Sequence, residues 1–89
     1  MSLIFKVKTY SDPGHGWAAV KRELLTQLGI ADKITRYSYQ KGKTVYLEED
    51  CDLTTLMDAL QSRGIKVEFE HKNTNRQSPI RSYERYRNF

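Results

Sequence analysis

The chain is organised around the stretch Tyr10-Ser11-Asp12-Pro13-Gly14-His15-Gly16-Trp17. These residues include one of two prolines, two of five glycines, one of two histidines and the only tryptophan. Asp-Pro-Gly is a turn sequence, because proline presets one dihedral angle and glycine accepts positive φ without steric cost. The stretch therefore predicts a sharp break between the segments on either side of it.

The two segments that flank this turn have different periodicities. Residues 3–10 alternate apolar side chains with Lys6 and Lys8, which predicts a half-buried strand. Residues 17–28 place apolar side chains at spacings of three and four and end before Gly29, which predicts a helix. The opening of the chain is therefore predicted to be strand, turn and helix.

Four further elements follow in the sequence. Residues 33–39 and 43–48 alternate on either side of a short glycine-containing gap, which predicts an antiparallel hairpin. Asp52 is a favourable N-cap for a second helix that begins at Leu53 and stops at Gly64. Residues 65–70 alternate strictly and predict a strand with one wet face.

The resulting order is β-α-β-β-α-β. It predicts a single-domain α+β fold in which a four-stranded antiparallel sheet carries two helices on one face, a ferredoxin-like arrangement. We expect residues 1–72 to form this domain and residues 73–89 to form a basic, Tyr/Arg-rich C-terminal tail. The tail is expected either to add an edge strand, to dock on the sheet, or to stay disordered until it meets a partner.

The net charge of +4 is unevenly placed along the chain. Residues 1–70 hold ten basic and ten acidic residues, so the whole excess falls in the last nineteen positions. Such asymmetry points to an acidic partner, nucleic acid being the commonest, or to a solubilising end. The candidate partner-binding residues combine phosphate-binding charge with rings that stack on bases; they are Arg76, Arg81, Tyr83, Arg85, Tyr86 and Arg87. Arginine and tyrosine are equally typical of protein–protein hot spots.

The turn residues Gly14, His15, Gly16 and Trp17 form a second candidate site. A glycine-rich turn between a strand and a helix start presents free amides and a positive dipole end to an anion. The spacing matches neither a P-loop nor a dinucleotide fingerprint. The alternative interpretation is an ordinary tight turn.

The residues give little support for catalysis, a metal or a cofactor. His15 has no marked nucleophile beside it, and Cys51, the single cysteine, is preceded by acidic residues that oppose a thiolate. His15, Cys51 and His71 are scattered, which predicts no metal site. The acidic run before the second helix is typical of capping and solvation; it comprises Glu48, Glu49, Asp50 and Asp52.

The apolar runs are only a few residues long, as in Leu3-Ile4-Phe5. A membrane span needs about 20 apolar residues and a signal peptide an apolar core of about 7–15. We therefore expect a cytoplasmic protein without a membrane partner.

Several stretches resemble a family of small phage and prophage proteins: Thr9–Trp17, Lys33–Tyr39, Val45–Leu53, Thr74–Arg76 and Ile80–Tyr83. The resemblance covers most of the chain, implies a phage setting inside a host cell, and supplies no catalytic residues. Small early phage proteins often modify host DNA transactions or block host defences.

These observations lead to three hypotheses about function. The first is a non-catalytic, phage-type accessory protein that binds nucleic acid or a nucleoprotein complex through its basic tail. The second is a direct protein inhibitor of a host factor or defence system. The third is a small enzyme that uses the Gly14–Trp17 loop to bind a phosphorylated ligand. The sequence leaves the oligomeric state open.

Overall fold

The computed structural model describes residues 3–76 and 78–88. Within these residues six strands and two helices follow one another, with short 3-10 turns at Ala31–Lys33 and Pro79–Ser82. The elements are β1 (Leu3–Ser11), β2 (Gly16–Lys21), α1 (Arg22–Gln27), β3 (Tyr39–Lys41), β4 (Thr44–Glu48), α2 (Asp52–Gln61), β5 (Ile65–Asn73) and β6 (Glu84–Arg85).

The strands form one mixed sheet with the order β5-β1-β2-β4-β3-β6 across the described residues. Strand β1 pairs antiparallel with β2 and parallel with β5, and the remaining neighbours are antiparallel. Strand β5 lies at one edge and the two-residue β6 at the other. The chain crosses from β4 through α2 to reach β5, which is how β5 comes to run parallel to β1.

One face of the sheet carries the main core. Val7, Ala18, Val20, Val45 and Leu47 project from this face and are almost completely buried. The helices cover them with buried leucines from each helix; these are Leu25, Leu56 and Leu60. Both helices therefore pack on the same side of the sheet.

The predicted four-stranded antiparallel, ferredoxin-like sheet is wrong. The α+β class holds, but the described residues form a six-stranded mixed sheet. The physical reason lies in the first turn: the backbone N–H of Asp12 donates to the carbonyl of His15 at 2.9 Å, which closes a hairpin between β1 and β2. A hairpin makes the two strands direct antiparallel neighbours, whereas the ferredoxin-like order needs a helical crossover at this point.

The predicted helix over residues 17–28 and the predicted strand over 33–39 are also wrong in large part. Residues 16–21 form strand β2, and only Arg22–Gln27 are helical. Residues 31–33 form a 3-10 turn, and strand β3 begins only at Tyr39. The hairpin across Gly42 and the strand that begins at Ile65 are confirmed.

Asp52 holds the irregular segment before β3 in place and does not cap α2. It is the first residue of the helix, and its buried carboxylate accepts hydrogen bonds from Thr35 N at 3.1 Å and Thr35 Oγ1 at 2.8 Å. The Ser38 hydroxyl donates to the same carboxylate. This one charged side chain therefore satisfies three donors in a segment without regular secondary structure.

Residues 78–88, termed here the C-terminal segment, lie against the folded body. Tyr86 is 2% exposed and belongs to the main core, while Arg85 pairs with Tyr39 across β6 and β3. Ile80 is buried on the opposite face of the sheet, beside Tyr10 and Tyr46. Of the alternatives predicted for the tail, the structure shows docking on the sheet with an added edge strand.

Among the helices in the described part of the chain, none is long and apolar enough to cross a membrane.

Candidate nucleic-acid interface

The face of the sheet opposite the two helices is termed here the open face. Cross-strand partners point to the same side, so the register places Lys8 with Ala19, Tyr10 with Trp17, and Lys21 with Thr44 on this face. Alternation along each strand adds Lys6 from β1 and Tyr46 from β4. The face is thus lined with lysines around a group of aromatic rings.

The strand residues that project from the open face carry a net charge of +4. Every charged residue of the chain lies in the described part, and the open face holds seven basic and three acidic residues. They are Lys6, Lys8, Lys21, Lys41, Lys66, Lys72 and Arg85 against Glu48, Glu68 and Glu70. The remaining charged residues of the chain, eight basic and eight acidic, sum to zero.

An open groove of about 720 Å³ extends from the open face to helix α1. Its charged lining consists of Lys6, Lys8 and Lys21 against Glu23, and Tyr10 and Tyr46 line it as well. A surface of this kind offers ammonium groups for phosphates and ring faces for bases within one depression.

The two tyrosines that line the groove, Tyr10 and Tyr46, pack against each other, and Tyr46 also packs against Tyr83. The rings of Tyr10 and Tyr46 lie 6.3 Å apart edge to face, and those of Tyr46 and Tyr83 lie 5.2 Å apart. Lys41 Nζ sits 4.8 Å from the centre of the Tyr83 ring, a cation–π contact. Burial raises the pKa of Tyr46, and the neighbouring Tyr83 and Tyr10 hydroxyls raise it further, so Tyr46 stays a neutral hydrogen-bond donor.

In the predicted anion-binding loop, the backbone amides of Gly14 and His15 are occupied by the side chain of Asp12. The amides of Gly14 and His15 donate to Asp12 Oδ1 at 3.0 and 2.9 Å, and Ser78 N donates to Oδ2 at 2.9 Å. Arg81 adds a forked contact from Nε at 2.6 Å and Nη2 at 2.9 Å. The Arg81 guanidinium and these amides hold the pKa of Asp12 far below its usual range. The loop also leads into strand β2 and not into a helix.

Gly14 and Gly16 are small because other side chains approach them closely. A Cβ added at Gly14 would lie 2.7 Å from Arg81 Nη2, and one at Gly16 would overlap the Glu49 carboxylate. The glycines with positive φ in the described chain are elsewhere, so conformational freedom is not the reason for these two. The turn is shaped by its contact with the C-terminal segment.

The six candidate partner-binding residues of the tail differ in accessibility. Arg76, Arg85 and Arg87 are exposed, and Arg87 also contacts Glu84. Arg81 is committed to Asp12, Tyr83 is half-buried against Tyr46, and Tyr86 is a core residue whose hydroxyl donates to the carbonyl of Ala31 at 2.5 Å. The tail therefore offers fewer free groups than its composition predicts.

The two predicted sites do meet in space. Arg81 lies 5.7 Å from the centre of the Trp17 ring, and both residues line a cleft together with His15 and Arg85. The groove lysines and Tyr10 and Tyr46 are the residues that the sequence interpretation missed. The signal for them was present, because the alternation of residues 3–10 places Lys6 and Lys8 on the wet face of the first strand.

The two histidines lie on opposite sides of the sheet. His71 shares a hydrogen bond with Thr9 Oγ1 at 2.6 Å on the helix side of the sheet, whereas His15 and Cys51 line the cleft on the other side. Among residues 3–76 and 78–88, no three His, Cys, Asp or Glu side chains are placed to hold a metal ion.

Comparison of the chain with protein-family models, with curated proteins and with solved structures gave no match. The resemblance to small phage proteins therefore stays an expectation from the residues, and function is argued from the open face itself.

Proposed function

We propose that the protein binds nucleic acid across the open face of its sheet. The observation that supports this most strongly is the net charge of +4 on the strand residues that project from the sheet face opposite α1 and α2. When the lysines neutralise phosphates, the nucleic acid releases condensed counterions, and this release contributes favourably to the binding free energy. Partly exposed tyrosine rings at the centre of the face supply the base-stacking component.

This proposal moves the predicted contact from the tail to the sheet. The C-terminal segment contributes two side chains to the open face: Tyr83, which contacts Lys41, and the exposed Arg85. Its other cations are paired with carboxylates, Arg81 with Asp12 and Arg87 with Glu84. Phage origin, suggested by the resemblance, fits a small accessory protein that acts on DNA or RNA in a host cell.

The direct test measures binding of a fluorescently labelled oligonucleotide by anisotropy over a series of salt concentrations. We expect affinity to fall with salt, with a log–log slope of about −0.7 per phosphate neutralised on a single strand. Replacing two groove lysines, Lys8→Gln with Lys21→Gln, should weaken binding roughly tenfold and reduce the slope by about 0.7 per lysine.

A matched control removes the same charge elsewhere. Lys33 lies in a 3-10 turn and Arg63 follows α2, and both are exposed and outside the open face. Lys33→Gln with Arg63→Gln should leave affinity and slope close to those of the parent. An equal loss of affinity in the two double variants would show that binding depends on net charge alone and not on the open face. Absence of binding to DNA and RNA at low salt would reject the proposal and favour the alternative of a protein partner.

A further inference from the structure

A cleft of about 450 Å³ lies beside the groove at the end of the open face where the first turn sits. Trp17 and Tyr39 form its aromatic wall, with ring centres 6.2 Å apart and nearly perpendicular planes. Its volume falls in the range of sites that enclose small molecules, about 300–1,000 Å³.

Basic and acidic groups line the same cleft. Arg81 lies over the Trp17 ring and Arg85 over the Tyr39 ring, the latter at 4.5 Å from the ring centre. Glu48 and Asp50 also line it, and the Asp50 amide donates to Glu48 Oε2 at 3.0 Å. The cleft thus offers planar guanidinium donors, carboxylate acceptors and ring surfaces together.

Both arginines are held in position by contacts inside the protein. Arg81 is fixed by its forked pairing with Asp12, and Arg85 Nη1 donates to the carbonyl of Arg36 at 3.2 Å. A cation–π contact with an aromatic ring adds to the attachment of each guanidinium. Groups held in this way lose little conformational entropy when a ligand binds.

We propose that this cleft binds a guanine base, unstacked from a single strand that lies along the groove. Guanine presents two acceptors, N7 and O6, to which the guanidinium fork of arginine is complementary, and N–H donors on its opposite edge for a carboxylate. A single strand can splay such a base onto an aromatic side chain, which a duplex does not allow without flipping. Arg85 supplies the fork, Glu48 the acceptor, and Tyr37 and Tyr39 the ring surfaces.

The position of the cleft relative to the groove supports this arrangement. Glu48 lies two residues from Tyr46 along β4, and Trp17 lies two residues from Ala19 along β2. Two residues of strand span about 7 Å, so one short strand can contact both the groove and the cleft. The inference rests on the proposed function, because the groove lysines hold the backbone of the same strand.

The test uses short oligothymidylates with and without a single central dG, together with free guanosine monophosphate. The only tryptophan, Trp17, lies in the cleft, so its fluorescence reports occupancy directly. We expect the dG-containing strand to bind about tenfold more tightly, the order of discrimination that one bidentate contact provides. Only guanine-containing ligands should change the Trp17 signal, and adding the complementary strand should remove the preference.

Two variants distinguish the specific contact with guanine from non-specific electrostatic attraction to the phosphates. Arg85→Lys keeps the charge and removes the fork, so it should abolish the dG preference with the salt slope unchanged. Glu48→Gln should also reduce the preference, and Asp58→Asn on the exposed face of α2 is the control that should not.

Each result decides between the two proposals. Equal binding of both oligonucleotides with the parent salt slope overturns the guanine site and leaves the proposed function standing. A Trp17 response to guanosine monophosphate without binding of any oligonucleotide supports the cleft and rejects the proposed function. No response to any of these ligands rejects both.

Discussion

At the residue scale, Asp12 is the side chain that joins the first turn to the C-terminal segment. Its carboxylate is completely shielded from solvent and accepts from Gly14 N, His15 N, Ser78 N and the Arg81 guanidinium. Hydrogen bonds from cations and amides favour the ionised form, so the pKa of Asp12 lies well below its usual range in the folded protein. The ionised carboxylate therefore stabilises the native state.

The low pKa of Asp12 predicts a pH dependence of stability. Because the pKa of Asp12 is lower in the folded protein, the unfolded chain takes up the proton first as the pH falls, near the reference pKa of aspartate, about 3.9. The Asp12 contribution is therefore complete above about pH 5 and is lost as the pH falls through the unfolded pKa toward the folded one. Urea unfolding of Asp12→Asn, followed through Trp17 fluorescence from neutral to acid pH, should show lower stability at pH 7 and a shallower decline on acidification than the parent.

The control for this experiment is Asp58→Asn, an exposed carboxylate on α2. It should keep the acid slope of the parent, because its loss leaves the Asp12 contacts intact. Parallel pH curves for Asp12→Asn and the parent would show that the Asp12 pKa is not depressed in solution.

At the scale of the element, strand β2 is buried on both of its faces, and this explains why its sequence predicts a helix. Trp17 and Val20 are both buried although they lie on opposite faces of the sheet, because the C-terminal segment covers the Trp17 side. A strand buried on both faces reads as a continuous apolar run, and a short run of this kind cannot be distinguished from a buried helix by periodicity. Strand β5 keeps one wet face, and its alternation predicted it correctly.

The C-terminal segment is predicted to be part of the cooperative fold. Tyr86 is 2% exposed, packs in the main core and donates its hydroxyl to Ala31 O. Tyr86→Ala should lower the free energy of unfolding by about 3–5 kcal/mol, the cost of removing a large buried aromatic side chain. Tyr86→Phe removes only the hydrogen bond and should cost about 1 kcal/mol.

The measurement is urea denaturation, with Tyr37→Ala as the control. Tyr37 is 67% exposed, so its truncation should change stability by about 0.5 kcal/mol or less. If Tyr86→Ala behaved like Tyr37→Ala, the C-terminal segment would be docked without contributing to global stability.

At the scale of the whole molecule, the charge distribution shows what the linear sequence hides. By position along the chain the +4 excess falls after residue 70, yet in the folded protein the strand residues that share the open face also sum to +4. Alternation in residues 3–10 predicts that Lys6 and Lys8 share a wet face. It does not reveal that Lys21 and Lys41 join them, because that depends on the order of strands in the sheet. Strand order is set by long-range pairing, which local periodicity does not encode.

The sheet edge at β5 bears on the oligomeric state. This nine-residue strand pairs with β1 alone in the described residues, and an unpaired edge of that length is a template for another chain. Antiparallel pairing over the full strand, with Phe69 opposite its own copy, would place Glu68 opposite Glu70 and Lys66 opposite Lys72 of the second chain. Like charges directly opposite destabilise a strand pair by about 0.2–1 kcal/mol each. The charge pattern of β5 therefore opposes self-association, and we expect a monomer.

A charge exchange within β5 tests this interpretation without changing net charge. The double variant Glu70→Lys with Lys72→Glu would bring opposite charges together at all four of those positions, so it should self-associate more than the parent in sedimentation equilibrium. Glu70→Lys alone removes the pairing of Glu70 with its β1 neighbour Lys8 and brings opposite charges together at only two of the four positions, so it should self-associate less than the double variant. A parent protein that is already dimeric, with the double variant no more associated, would show that β5 charges do not govern assembly and that another surface does.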